Sequence, residues 1–148
     1  MLTPAQVTEH LHAEIPLTRA MQLSVSTWDG TTVTLHAPLA PNQNHADTAF
    51  GGSISTAGIM AGFCLLYLLF NDRNISTRIL IQKSATEYLR PIDGDFASSA
   101  SAPPPDKLEE FISTVQRKRR CRIEINSQVT SRHMLAATHT GLFVAMLY

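Results

Sequence analysis

The stretch Phe50-Gly-Gly-Ser-Ile-Ser-Thr-Ala-Gly-Ile-Met-Ala-Gly-Phe-Cys-Leu-Leu-Tyr-Leu-Leu-Phe-Asn71 decides the fold, because no charged side chain occurs anywhere from Thr48 through Asn71. Apolar residues fall on every side of a helix drawn through it, so the helix must be buried nearly all round. Its span, from Phe50-Gly51-Gly52 to Asn71-Asp72, is about five turns. The segment is also long enough for a bilayer, and Gly58-Ile-Met-Ala-Gly62 has the small-xxx-small spacing of packed membrane helices. Against a membrane span, Gly51-Gly-Ser-Ile-Ser-Thr56 is small and polar, and alternating strands follow. A core helix in a non-membrane fold accounts for both.

On the N-terminal side, Thr3-Pro4-Ala5-Gln6 reads as an N-cap, a proline at the first helical position and a short helix with Val7, Leu11 and Ile15 on one face, ending before Pro16. Gln22 to Trp28 and Thr31 to Leu39 flank Asp29-Gly30, and Val33, Leu35 and Ala37 alternate with polar neighbours, which predicts a hairpin with one buried face. A polar loop, Pro41 to Asp47, leads into the central helix.

Beyond it, Arg78 to Tyr88 and Phe96 to Ala102 read as strands joined through Pro91-Ile-Asp-Gly94, a second hairpin. Pro103-Pro-Pro105 stops the strand, and Asp106-Lys-Leu-Glu109 resembles a capping box opening a helix with Leu108, Phe111, Ile112 and Val115 on one side. A basic run, Arg117 to Arg120, follows. Cys121, Ile123 and Ile125 then alternate with polar residues, and Met134 to Leu147 supplies a last strand in which Gly141 marks a bulge or a close approach. The expectation is one α+β domain over residues 1–148: an antiparallel sheet of about six strands curled around a long helix. Such a sheet leaves edges and a half-covered helix, so side-by-side pairing into a homodimer, or a dimer of dimers, completes it.

Composition narrows the function. Twelve Lys plus Arg balance twelve Asp plus Glu, so no global field draws the chain to nucleic acid or an anionic membrane. Cys64 and Cys121 lack CxxC spacing and read as reduced core thiols. The six histidines have no metal-ligand spacing, so no metal is expected. No basic start followed by an apolar run opens the chain, and a cytoplasmic location is the default expectation.

Leu39-Ala-Pro41-Asn-Gln-Asn44-His45-Ala-Asp47-Thr48-Ala49-Phe50-Gly51-Gly52-Ser53 resembles the loop-to-helix signature of the YiiD-type thioesterase family. Similar too are Glu14-Ile-Pro-Leu-Thr-Arg-Ala-Met21, Ile81-Gln-Lys83, Tyr88-Leu-Arg-Pro91 and the arginine-rich entry to the fifth strand, so the resemblance runs nearly end to end. It implies a hotdog fold, and an enzyme hydrolysing a small acyl thioester, acyl-CoA or acyl-carrier protein, at a dimer interface. No separate cofactor is implied, CoA being part of the substrate.

Within that frame Gly51 or Gly52 is the candidate oxyanion donor, since glycines at a helix start let a ligand approach exposed N–H groups and the positive end of the dipole. The alternative is a tight turn and nothing more. Asn44 is the candidate for orienting water, or else an Asx turn former; an amide cannot act as a base. Asp47 and His45 are the candidate bases, and either reads equally as solvated loop. Phe50, Ser53, Tyr88, Arg119 and Arg120 are the candidate substrate contacts, the arginines for phosphate. Related thioesterases with a His-Gly-Gly signature carry an acid about two turns into the helix. Here Phe50 replaces the His and Ile59 the acid, so the base must come from the loop, from Glu87 or from a partner subunit. The competing functions are a non-catalytic acyl-thioester binder and a hydroxyacyl-thioester dehydratase using His45 with Asp47.

Overall fold

A computed structural model describes residues 1–148. Helix α1 (Pro4–Glu14) opens with a capping box in which Thr3 and Gln6 bond reciprocally, so two orphan donors are satisfied. Val7 and Leu11 are buried. A short α2 (Pro16–Ala20) follows at once; Pro16, unable to continue α1, is well placed as the first residue of a new helix. Strands β1 (Ser24–Trp28) and β2 (Thr32–Ala37) form the first hairpin. Gly30 takes φ 92° at its turn, and the Asp29 carboxylate accepts the N–H groups of Thr31 and Thr32.

Helix α3 runs Gly51–Asn71, after which come β3 (Thr77–Tyr88), β4 (Phe96–Ser101), α4 (Pro105–Lys118), β5 (Arg120–Ser131) and β6 (Met134–Leu147). The six strands make one antiparallel sheet in the order β1-β2-β4-β5-β6-β3. It curls around α3, which packs against β2, β3, β4, β5 and β6. The apolar helix is therefore the domain's own core, and two-thirds of its most hydrophobic window is buried.

Two local expectations fail. The segment after Tyr88 does not close a β3–β4 hairpin: β3 pairs with β6, and β4 lies between β2 and β5. The connection crosses the sheet, pinned by buried Ile92 and by Leu89 N–H donating to the Ala136 carbonyl. Turn residues at Pro91 and Gly94 report a change of direction, not a partner. The capping box at Asp106 is also absent, since α4 starts at Pro105 with no side-chain cap. Its apolar face is as expected, with Leu108, Phe111, Ile112 and Val115 buried.

Close approach of helix and sheet depends on glycine. A methyl group at Gly58 would lie 2.6 Å from His139 Cβ, and one at Gly62 would lie 2.7 Å from the Phe143 ring. Gly141 sits in unbroken register with Ser84 and Ile125, so it marks a close approach and not a bulge. The small-xxx-small spacing thus serves helix-on-sheet packing. Phe143 is fully buried and cannot swing away, so Gly62→Ala is expected to destabilise the domain by about 1–3 kcal/mol through overpacking. Urea denaturation checks this: an unchanged midpoint would mean that the Phe143 contact yields freely.

Candidate active site

The loop before α3 is a small closed turn. Asn44 N–H donates to the Thr48 carbonyl, and Gln43 and Ala49 form an isolated bridge. The Asn44 Oδ1 accepts from Ala46 N–H (2.8 Å) and Thr48 N–H (3.1 Å), while its Nδ2 donates to Thr48 Oγ1 (2.9 Å). Both ends of the amide are therefore engaged by its own loop, the geometry of an Asx turn. Asp47 adopts φ 61° and accepts from Gln43 Nε2. Asp47 and His45 are both exposed.

Asn42, which the motif reading passed over, anchors this loop. It is buried, donates from Nδ2 to the carbonyls of Met21 (2.9 Å) and Pro38 (2.8 Å), and its own carbonyl accepts Phe50 N–H (2.7 Å). Only its burial distinguishes it from Gln43 and Asn44, and burial of one asparagine in a polar run leaves no mark in sequence.

At the start of α3, Ser53 and Ile54 N–H both turn back to the Phe50 carbonyl, but the N–H groups of Gly51 and Gly52 have no acceptor. No acidic residue lies in the first turn, so nothing neutralises the positive end of the helix dipole. Tyr88 Oη donates to the Gly51 carbonyl (2.9 Å) and fixes the corner against β3. The Phe50 ring lies over Gly52, where an added Cβ would come within 2.3 Å of it, yet the residue is 57% exposed. Together with Tyr88, Leu89, Met134 and Leu135, Phe50 contributes to the exposed apolar surface of the chain.

Beyond this corner α3 and the edge strand β3 pack together, with Ser55 bonded to Thr86 Oγ1 (2.9 Å) and Ser84 Oγ 2.7 Å from His139 Nε2. Ile59, Phe63 and Tyr67 form a half-exposed stripe along the helix. Met60 and Leu66, by contrast, are buried in the protomer's own core. At the far end a cavity of about 700 Å³ is lined by Phe63, Tyr67, Ile79 and Arg78. His10 stacks on Tyr67 with ring centroids 4.6 Å apart, and burial raises the Tyr67 phenol, with Cys64 and Glu14 adding to it.

The arginine run stands away from the corner. Arg120 is opposite Met146 and Thr77 opposite Leu147, whereas Tyr88 is opposite Ala137. The length of β3 therefore separates Arg119 and Arg120 from Gly51 within one protomer by roughly 30 Å. Arg119, at φ 67°, donates to the Tyr148 carbonyl. Glu87 is exposed and alternates with Thr86 and Tyr88, which bond to α3, so it points to the other face of the sheet.

No ligand spacing marks His139 in the sequence; its signal is its place in the inward register of Ala137, Gly141 and Phe143. Burial alone lowers its pKa. An unfolded chain takes up this proton near the ordinary value of 6.5, while the folded chain resists until lower pH. Stability is therefore expected to be level above that value and to fall as the pH drops below it. Denaturation midpoints between pH 8 and pH 5 check the sign, and His139→Gln should remove that part of the decline.

Comparison with known proteins bears on the family and the fold. Residues 4–147 match the family described as "Putative thioesterase (yiiD_Cterm)". A protein of unknown function from Chlorobaculum tepidum TLS superposes with a TM-score of 0.91 at 27% identity, covering 99% of this chain and 98% of that one. A putative thioesterase from Shewanella oneidensis gives 0.88 at 25% identity, covering 97% and 96%. A protein of unknown function from Pseudomonas aeruginosa, 18% identical and covering 100% and 99%, shares the fold with a TM-score of 0.77. With a match across almost its whole length, this hotdog chain belongs to the YiiD C-terminal thioesterase family.

Proposed function

We propose that the chain hydrolyses the thioester of a small acyl-CoA, with the carbonyl oxygen held at the N–H groups of Gly51 and Gly52. The observation that carries this reading is the open start of α3, where two backbone donors without acceptors meet an uncompensated helix dipole. Negative charge develops on that oxygen in the tetrahedral intermediate, and one such donor contributes about 3–4 kcal/mol to the transition state. Asn44 serves by holding the turn that aims these donors, and the exposed Phe50 and Tyr88 flank the acyl group's entry.

Phosphate recognition needs a second copy in this reading. Strand β3 is a long sheet edge, and such an edge seeks a partner strand. Antiparallel pairing of two β3 strands would lay the start of one beside the end of the other. Arg119 and Arg120 of the second copy would thereby approach the first copy's glycine corner, which neither reaches in its own protomer. The occupied assembly is a homodimer, and a carrier-protein thioester would meet the same corner.

Two measurements follow. Gly51→Pro removes one N–H at the first helical position, where proline is tolerated, and Phe50 at ψ 133° already suits a following proline. Thiol release from an acetyl- to palmitoyl-CoA series should drop by roughly 100-fold or more with Tm unchanged; unaltered turnover would remove Gly51 from the oxyanion site. Arg120→Ala should raise KM for acyl-CoA by about tenfold while leaving acyl-pantetheine, which lacks the nucleotide, unaffected. Equal effects on both substrates would exclude a phosphate contact.

A non-catalytic binder is favoured by the absence of any acid on α3 and by the full engagement of the Asn44 amide. Tight acyl-CoA binding with no thiol release at any chain length would establish it in place of the enzyme.

A further inference from the structure

Both ends of the loop that leads into α3 hang from residues 89–95, the connection that crosses the sheet. Ala49 N–H donates to the Ile92 carbonyl (2.8 Å), and Leu39 N–H donates to Asp95 Oδ1 (2.8 Å). Ala49 stands two residues before Gly51, and Phe50 between them is held by the Asn42 carbonyl. Where the Ile92 carbonyl sits therefore bears directly on where the Gly51 and Gly52 N–H groups point. Its side chain is anchored, being 1% exposed, but the next residue, Asp93, lies at the surface.

The outer side of the connection is gripped by the β5–β6 turn. Ser131 Oγ donates to the Asp95 carbonyl (2.7 Å). Arg132 donates from Nε to Asp93 Oδ1 (3.0 Å) and from Nη2 to the Asp93 carbonyl (3.4 Å). Its guanidinium also lies across Gly94, where an added Cβ would come within 3.2 Å of Nε. One side chain thus restrains two successive residues of the connection.

Arg132 holds them from an unfavourable backbone position. Ser131 pairs with Met134, which leaves Arg132 and His133 as a two-residue turn with φ 51° and 63°. Such a turn matches the twist of its strands but prefers Asn, Asp or Gly at both places, and a long side chain at positive φ is strained. Strain of this kind persists where the surroundings fix it, and it clusters at functional sites. Gain in stability is a poor account of it, since the Arg132 and Asp93 side chains are 69% and 70% exposed and an exposed ion pair contributes little. Glycine at this position would relieve the backbone. What it would give up is the hold on Asp93 and Gly94.

Resting on the thioester reading, we propose that Arg132 is a positioning residue for the oxyanion corner. By restraining Asp93 and Gly94 it keeps the Ile92 carbonyl on Ala49 N–H, and so aims the Gly51 and Gly52 donors. Asp95, which ties Leu39 to Ser131, is the second restraint on the same loop. Neither residue meets the substrate in this arrangement; both act on how well the donors fit the transition state, and small displacements there slow the reaction steeply.

The test compares wild type with Arg132→Gly, Arg132→Lys and Asp95→Ala in three measurements: thiol release from acyl-CoA, Tm, and amide hydrogen exchange at Ala49. Arg132→Gly should lower kcat about tenfold with KM unchanged. Its Tm should change little, because relief of the turn offsets the freedom that glycine adds to the unfolded chain. Exchange at Ala49 should quicken by roughly two- to fivefold, the factor that an exposed ion pair supplies, while amides in β2 and β5 exchange as before. Lysine still reaches the Asp93 carboxylate, so Arg132→Lys should recover most of kcat. Asp95→Ala, which frees the Leu39 end of the loop, should lower kcat independently. Wild-type kcat and wild-type Ala49 exchange in Arg132→Gly would overturn the proposal, as would a kcat loss that follows a fall in Tm. A wild type that releases no thiol from any acyl-CoA would remove the thioester reading instead, and Ala49 exchange would still decide whether Arg132 holds the corner.

Discussion

Everything in this domain depends on bringing a charge-free helix to van der Waals distance from a curved sheet. Helix α3 has no Asp, Glu, Lys, Arg or His to hold in water, so its burial contributes favourably along nearly its whole length. The contact is limited by how near the backbone can come, and Gly58 and Gly62 set that limit against His139 and Phe143. Sheet order, helix direction and the location of the glycine corner follow from it. Because α3 is gripped by five strands, its first N–H groups are aimed by the whole core, a firmer support than a loop alone could offer.

That rigidity gives the corner its chemical character. Preorganised dipoles stabilise developing charge because they do not reorganise during the reaction. Here Tyr88 secures the Gly51 carbonyl, Asn42 secures Phe50, and Asn44 closes the turn behind it. Most polar side chains near the corner are thus spent on shape, and the donors left over are backbone groups.

Much of this was legible in the residues. The bounds of α3 and β6 could be read because uniform apolarity and sustained alternation are local properties, and Asp29-Gly30 specifies its hairpin within four residues. The partner of β3 could not be read. Pairing with β6 joins segments from opposite ends of the chain's second half, and the turn-forming Pro91 and Gly94 argued for the wrong neighbour. The glycine corner and the loop residues were visible as a motif, although the engagement of the Asn44 amide was not. Ser84 and His139, 55 residues apart, meet only through that same non-local pairing, and so no spacing could reveal them.

The sheet order carries a consequence for biosynthesis. Strand β6 comes last in chain order but lies between β5 and β3, so β3 has no partner until Met134–Leu147 has been made. During that interval the nascent chain holds an uncovered α3 and an open strand edge, the surfaces on which chaperones act and aggregates begin. The arrival of β6 is then a single closing event: it zips both neighbours at once and slots Phe143 against Gly62.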